Sequence, residues 1–416
     1  MSELLTYPEA DRIVASYALQ RLQTPPALER IPLEQAAGRV LAEPILADQD
    51  QPSFSRSTRD GFACRAAEAM AHKFLPIAGS THAGEVPPGP LPTQAVWEIM
   101  TGAAVPEGAD AVVMVEHIDR DADRMKLHAD RTIKAGDNIV ARGAQASRGT
   151  ELIPTGTVCG TAQIALAASC GYAQVAVFQR PRVAILTTGD ELVSIDRAPG
   201  PGQIRNSNAP MLAALVARAG GVPRILPAAA DTAEALDGAL RLALDADLLL
   251  ISGGVSAGKF DLVEPALAQL GATFQFTGIR MQPGKPLVFG EVPRADGLAL
   301  PFFGLPGNPI SSAATFLLFA AQVLAALAGR SDFHPQFLSA QLAQPTDRKA
   351  KPGLTRFLPA LCHFQNSEKL PQVAMVPWHG SGDLPAFARA NCFAVIPEDK
   401  ASLDAGETVH ILMISN

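Results

Sequence analysis

The chain has 416 residues, of which 48% are hydrophobic and 18% charged, and its formal net charge is −7. That composition supplies two to four globular cores, and the lack of a basic stripe argues against nucleic acid as the main partner. Five cysteines, Cys64, Cys159, Cys170, Cys362 and Cys392, form no C-x-x-C pair, which argues against a disulfide framework or a zinc site and for a reducing, cytoplasmic setting.

The opening MSELLTYPEADR has neither the basic nor the apolar region of a signal peptide. Helical spacing of Ile13, Tyr17, Leu19 and Leu22 predicts a helix over 9–23, stopped by Pro25 and Pro26. Residues 27–52 read as a second short helix with an extended exit. From Ser53 to about Gly143, β-type runs such as Ala111–Val115 alternate with Pro/Gly turns such as Val86-Pro87-Pro88-Gly89-Pro90. A helix is expected over 162–169, with Gly171 as its stop. These elements give an N-terminal helical and extended linker domain, 1–52 with 144–179, and an inserted β-rich domain, 53–143.

From Arg182 the rhythm becomes strand–helix–strand. Apolar runs at 183–186, 222–226, 248–251, 286–289 and 298–303 read as strands, and 210–218, 232–244, 262–270 and the stretch from Pro309 as helices. Apolar strands without alternation, linked by helices, predict a three-layer α/β domain over 180–330 with a mostly parallel sheet covered on both faces. The apolar stretch Ile310–Leu327 carries Ser311, Ser312, Thr315 and Gln322 and reads as a buried helix, so no membrane span is expected. Residues 333–416 return to β runs and turns, a C-terminal domain of small β-barrel type.

In a doubly wound sheet the ligand sits beyond the carboxyl ends of the strands. Four loops of unusual composition belong there: Thr187-Thr188-Gly189-Asp190-Glu191, the segment from Ser252, Gly253 and Gly254 through Ser256 to Gly258, Pro283-Gly284-Lys285-Pro286, and Leu305-Pro306-Gly307-Asn308-Pro309. Glycines let backbone N–H groups approach a phosphate, and a helix N-terminus adds a field favourable to an anion. Lys285 is a cation suited to an oxyanion. Asp190, Glu191, Asp231 and Asp261 put carboxylates beside the same edge, where a hard cation such as Mg²⁺ would bridge them to a phosphate. Two motifs in the second loop point elsewhere. Gly253 to Lys259 fits a phosphate loop, but Phe260 stands where Ser or Thr must hold Mg²⁺. Gly254 to Gly258 fits a nucleophile elbow around Ser256, but His334, His363, His379 and His410 all fall in the C-terminal domain.

TGDEL at 188–192, SGGVS at 252–256, Asp261, PGKP at 283–286 and LPGNP at 305–309 resemble, in this order, the molybdopterin-binding domain of molybdenum-cofactor assembly proteins. RDGFA at 59–63, MTGAAVPEGADAVV at 100–113, AGDNI at 135–139, WHGSG at 378–382 and ARANCFAVIP at 388–397 extend the resemblance to the molybdopterin molybdenumtransferase family (MoeA; the gephyrin E domain in animals) over nearly the whole chain. The resemblance implies Mg²⁺-dependent insertion of molybdate into adenylylated molybdopterin, with release of AMP and formation of molybdenum cofactor. It implies catalytic roles for Asp60, Thr101, Glu191, Asp231, Asp261 and Lys285, with Glu191, Asp231 and Asp261 as metal ligands. Substrate contacts would come from Gly189, Asp190, Ser252, Gly253, Gly254, Ser256, Pro283, Gly284, Pro306, Gly307, Asn308, Pro309, Arg356 and Ser381. It also implies a homodimer with the site at the interface, Asp60 and Thr101 acting across it, and traffic with a molybdopterin adenylyltransferase and recipient molybdoenzymes. Asp231 also fits an N-cap for the helix from Thr232. The chain departs from the family at Ser55–Arg59, at Gln145, at Gln282 and at Pro359. The departures at Ser55–Arg59 and Gln145 carry a second reading, a catalytically weak carrier of molybdopterin or finished cofactor. A serine hydrolase using Ser256 is a third.

Overall fold

The structure, a computed structural model, describes residues 4–254, 262–295, 297–346, 353–364 and 369–414. The central α/β domain consists of β1 (Arg182–Thr187), α1 (Asn208–Arg218), β2 (Val222–Ile225), α2 (Ala233–Ala243), β3 (Leu248–Ser252), α3 (Val263–Gln269), β4 (Thr273–Thr277), β5 (Val288–Val292), β6 (Leu300–Leu305) and α4 (Pro309–Thr315). The sheet order is β2-β1-β3-β6-β5-β4. The first four are parallel, whereas β5 runs against β6 and β4 pairs antiparallel with β5. The sheet is therefore mostly parallel, with an antiparallel edge to which β4, unanticipated in the sequence, contributes.

β3 and β6 are buried along their whole length and β1 along all but its first residue. Alternate side chains serve two cores. Val183 and Ile185 pack under Leu212, Val216 and Phe316 on one face. Ala184 and Leu186 pack under Leu236, Leu240 and Val263 on the other. Each fully buried Leu, Ile or Phe of this kind stabilises the domain by about 1.5–3 kcal/mol. The helix begun by α4 continues through a π-helical turn, Phe316–Ala320, to Leu327. It is long and apolar enough to cross a membrane, but 89% of it is buried inside the protein, as its embedded polar residues led us to expect.

Residues 337–342, 372–375, 355–363, 392–396 and 408–413 close a small barrel, because the strand Thr355–His363 pairs with both Gln372–Met375 and Cys392–Ile396. The strand Ile279–Gln282 leaves the α/β domain to pair with this barrel, Gln282 opposite Arg356, just before the 283–286 loop. The inserted domain carries a six-stranded sheet built from residues 61–64, 75–81, 96–99, 111–114, 118–121 and 124–127.

Two expectations change. The short helix anticipated within 27–52 is a strand, Leu28–Pro32, followed by one 3-10 turn, Leu33–Gln35. Pro32 has no N–H for a helical ladder, and the segment pairs antiparallel with Gln174–Phe178. The first helix, Tyr7–Leu22, opens with a Thr6/Glu9 capping box. It buries Ala10, Val14 and Tyr17 in the same core as Phe289 of the α/β domain and Phe357 and Phe393 of the barrel. Residues 1–52 are thus split between that core and the linker.

Candidate functional site

Thr187, Ser252 and Leu305 stand side by side at the ends of β1, β3 and β6. Three loops therefore leave the sheet at one level. β5 runs the other way, and its first residue, Val288, lies opposite Gly304, so the loop entering β5 reaches the same edge. Together these loops enclose a cavity of about 660 Å³, a size that suits a small organic ligand. Gly382 and Leu384 of the barrel domain complete its wall.

A hydrogen-bonded frame holds the loops. Asn208 Nδ2 donates to Ser252 Oγ at 2.8 Å and to the Gly307 carbonyl at 2.7 Å. Asn206 Nδ2 donates to Thr187 Oγ1 at 2.9 Å. With both amide hydrogens of Asn208 engaged, its orientation is fixed. Its Oδ1 and the Thr188 Oγ1 are buried with no hydrogen-bond partner in the protein. Such groups are costly unless a ligand or water satisfies them, about 1–3 kcal/mol each. Gly253 (φ +101°) brings its Cα so close that a Cβ would lie 2.5 Å from the Thr188 carbonyl oxygen. Only glycine fits there.

The field in the cavity has both signs. α1 and α4 begin against it, at Asn208 and Pro309, and their N-terminal ends favour an anion. Glu191 and Asp231 line the same cavity, and Asp190 Oδ1 accepts from the Asp231 N–H at 3.1 Å. Burial, then the charges of Asp190 and Glu191, raise the Asp231 carboxyl above its usual range. Carboxylates that repel one another in this way fit a hard cation. Mg²⁺ keeps several waters and needs only one or two such ligands, so Glu191 and Asp231 suit it, although among the described residues no group of three His, Cys, Asp or Glu is arranged to hold a metal. Asp231 does not cap the following helix; Thr232 does, its side chain accepting from the Ala235 N–H.

Of the residues expected at the site, Gly189, Glu191, Asp231, Ser252, Gly253, Gly254, Pro306, Gly307, Asn308 and Pro309 line the cavity. Ser256 and Asp261 lie outside the described residues. Pro283 and Gly284 are buried beside the cavity rather than on its wall, where Pro286 stands, and Lys285 is exposed. Ser381 contributes a carbonyl that receives the Ile310 N–H at 3.0 Å. Arg356 is 3% exposed and spends its Nη2 on the carbonyls of Lys400 and Ala401, so it holds the barrel together instead of lining the cavity. Asp60 and Thr101 lie in the inserted domain, off this cavity. There the Thr101 N–H and hydroxyl both donate to Asp60 Oδ1, at 2.7 and 2.8 Å, and hold its carboxyl below the usual range.

Arg205, Asn206 and Asn208 line the cavity and were not anticipated. The available signal was the polar run Asn206-Ser207-Asn208 directly before a helix, which reads as no more than a cap.

Models of three protein families match successive parts of the chain: the MoeA N-terminal region (domain I and II) over residues 5–171, the probable molybdopterin binding domain over 184–326, and the MoeA C-terminal region (domain IV) over 341–414. A Bacillus subtilis protein named molybdopterin molybdenumtransferase is 36% identical over 397 residues, 93% of this chain and 90% of the relative. One of the same name from Nostoc sp. is 33% identical and spans 93% of this chain and 88% of its own length. A crystal structure titled as a molybdopterin biosynthesis protein, MoeA, from Pyrococcus horikoshii superposes with a TM-score of 0.81 at 28% identity, covering 99% of this chain and all of that one.

Proposed function

From the premise that this chain belongs to the molybdopterin molybdenumtransferase family, an enzyme family of molybdenum cofactor biosynthesis, we propose that it inserts molybdate into adenylylated molybdopterin in a Mg²⁺-dependent reaction that releases AMP. The observation that carries this reading is a cavity lined both by helix N-terminal ends with glycine backbone and by the carboxylates of Glu191 and Asp231. An adenylylated pterin brings phosphate charge for the first and, through Mg²⁺, a partner for the second.

In this reading the residues act by positioning and charge. Thr188 Oγ1 and Asn208 Oδ1, both without partners in the protein, receive polar groups of the bound molecule. Glu191 and Asp231, with Asp261, would hold Mg²⁺, and the bound ion would supply positive charge for the phosphate of the leaving group. Lys285, exposed at the rim between the barrel-paired strand and β5, attracts molybdate as it arrives. That Asp60 and Thr101 lie off their own chain's cavity supports a homodimer as the working unit, with each pair reaching the partner subunit's site. The five buried, unpaired cysteines support a cytoplasmic setting; cell fractionation checks it. An adenylyltransferase upstream and molybdoenzymes downstream remain the expected protein partners.

The deciding experiment is AMP release from adenylylated molybdopterin by the purified protein, with and without molybdate and Mg²⁺. Release that requires both is the expected result. Tight retention of the pterin without release, whatever is added, would make the protein a carrier.

A further inference from the structure

A second crevice, of about 120 Å³, opens where the linker meets the α/β domain, and it shares no lining residue with the cavity described above. α1 connects the two: it begins at the cavity with Asn208 and ends at the crevice with Arg218, about 15 Å away by helical rise. Four arginines line the crevice in a chain of net charge −7: Arg39 from the linker, Arg180 where the linker passes into the α/β domain, Arg218, and Arg330 beyond the end of the long helix.

The local charges do not cancel. Arg39 is paired with Glu29, and Arg330 with Asp332 through two contacts of 2.9 Å. Arg180 and Arg218 are exposed and, among the described residues, have no acidic partner. The carboxyl ends of two helices, at Arg218 and Leu327, face this region and offset about half a charge each. One cation's worth is left over. The Arg39 side chain is 10% exposed and its Nη2 donates to the Phe178 carbonyl at 2.9 Å, yet its Nε is buried without an acceptor in the protein. A buried donor left unmet is destabilising, and an acceptor supplied by a ligand would relieve it. The crevice has room for roughly four waters at liquid density, enough for one tetrahedral anion and too small for a peptide or a nucleoside.

We propose that this crevice binds a tetrahedral oxyanion, either free or as the terminal phosphate of a larger molecule whose remainder stays in solvent. Bound there, the anion joins Arg39 of the linker to the arginines of the α/β domain. It would tighten a junction already closely packed, since a Cβ on Gly329 would lie 2.4 Å from the Phe178 ring. This inference is independent of the proposed reaction.

The test is calorimetric titration of the full chain with phosphate, sulfate and AMP at constant ionic strength, comparing the wild type with Arg180→Gln/Arg218→Gln. Both substituted residues are exposed, so the variant should fold, and its unliganded melting curve verifies that. The expected result is an anion site in the wild type that weakens at least about tenfold in the variant. Equal binding of phosphate and sulfate identifies a free oxyanion, and tighter binding of AMP at the same arginines identifies a nucleotide phosphate. Anion binding of the same strength in both proteins, or in neither, overturns the proposal.

Discussion

Asp231 is the residue on which the cation reading can be tested without turnover. Burial, and then the charges of Asp190 and Glu191, raise its carboxyl in the folded protein. The folded state therefore holds that proton more tightly than the unfolded chain does. The penalty for the ionised form is present in full above the folded value and fades as pH falls toward the ordinary Asp range near about 4. Asp231→Asn removes the penalty. It should raise Tm at pH 7 by about 1–3 °C, with the gain vanishing below about pH 4. Mg²⁺ should reverse the order, raising the melting temperature of the wild type and leaving that of the variant unchanged. Scanning fluorimetry between pH 4 and 8, with and without Mg²⁺, reads both effects. A variant that melts lower than the wild type at neutral pH would show that Asp231 is a structural residue.

At the scale of elements, the loop after β3 depends on the backbone geometry of Gly253. Its φ of +101° is strained for any side chain, and a Cβ would lie 2.5 Å from the Thr188 carbonyl oxygen. Gly253→Ala should therefore cost at least about 1–3 kcal/mol, measured by denaturant unfolding, and should weaken pterin binding because the β1 and β3 loops are forced apart. Undiminished stability would mean that the two loops are free to separate. This loop was legible in the sequence because glycine and proline announce their positions wherever they fall. So were β1, β3 and β6, whose unbroken apolar runs admit no other burial. The frame made by Asn206 and Asn208 was hidden, because an asparagine that ties two distant loops has the same local sequence as one that caps a helix. Arg356, expected at the substrate from the family resemblance alone, instead sets its guanidinium on the carbonyls of Lys400 and Ala401. The strand Leu28–Pro32 was missed because its partner, Gln174–Phe178, is far along the chain.

At the scale of the whole molecule, the proposed dimer and the continuity of the core make separate predictions. Asp60→Asn and Asp231→Asn should each abolish activity alone. If a site takes Asp60 from one subunit and Asp231 from the other, mixed and re-formed dimers should recover about a quarter of wild-type activity, since half the dimers are mixed and each has one intact site. No recovery, with mixing verified, would place both residues in one chain's site. The core argument concerns the helix Tyr7–Leu22. Tyr17 is 9% exposed and sets its ring edge-on to Phe289 of the α/β domain, 5.2 Å between centroids. Tyr7 sits between Phe319 of the long helix, at 5.7 Å, and Phe357 of the barrel, at 5.1 Å. One helix thus joins two domains through a single apolar cluster, whereas the inserted domain has a core of its own around Phe62, Val96 and Met125. Calorimetry should accordingly resolve one transition for the α/β domain with the barrel and another for the inserted domain. Tyr17→Ala should destabilise the first by about 3–5 kcal/mol and leave the second in place. Equal movement of both transitions would mean that the linker transmits stability across the whole chain; movement of neither would show that the helix is only appended to its core.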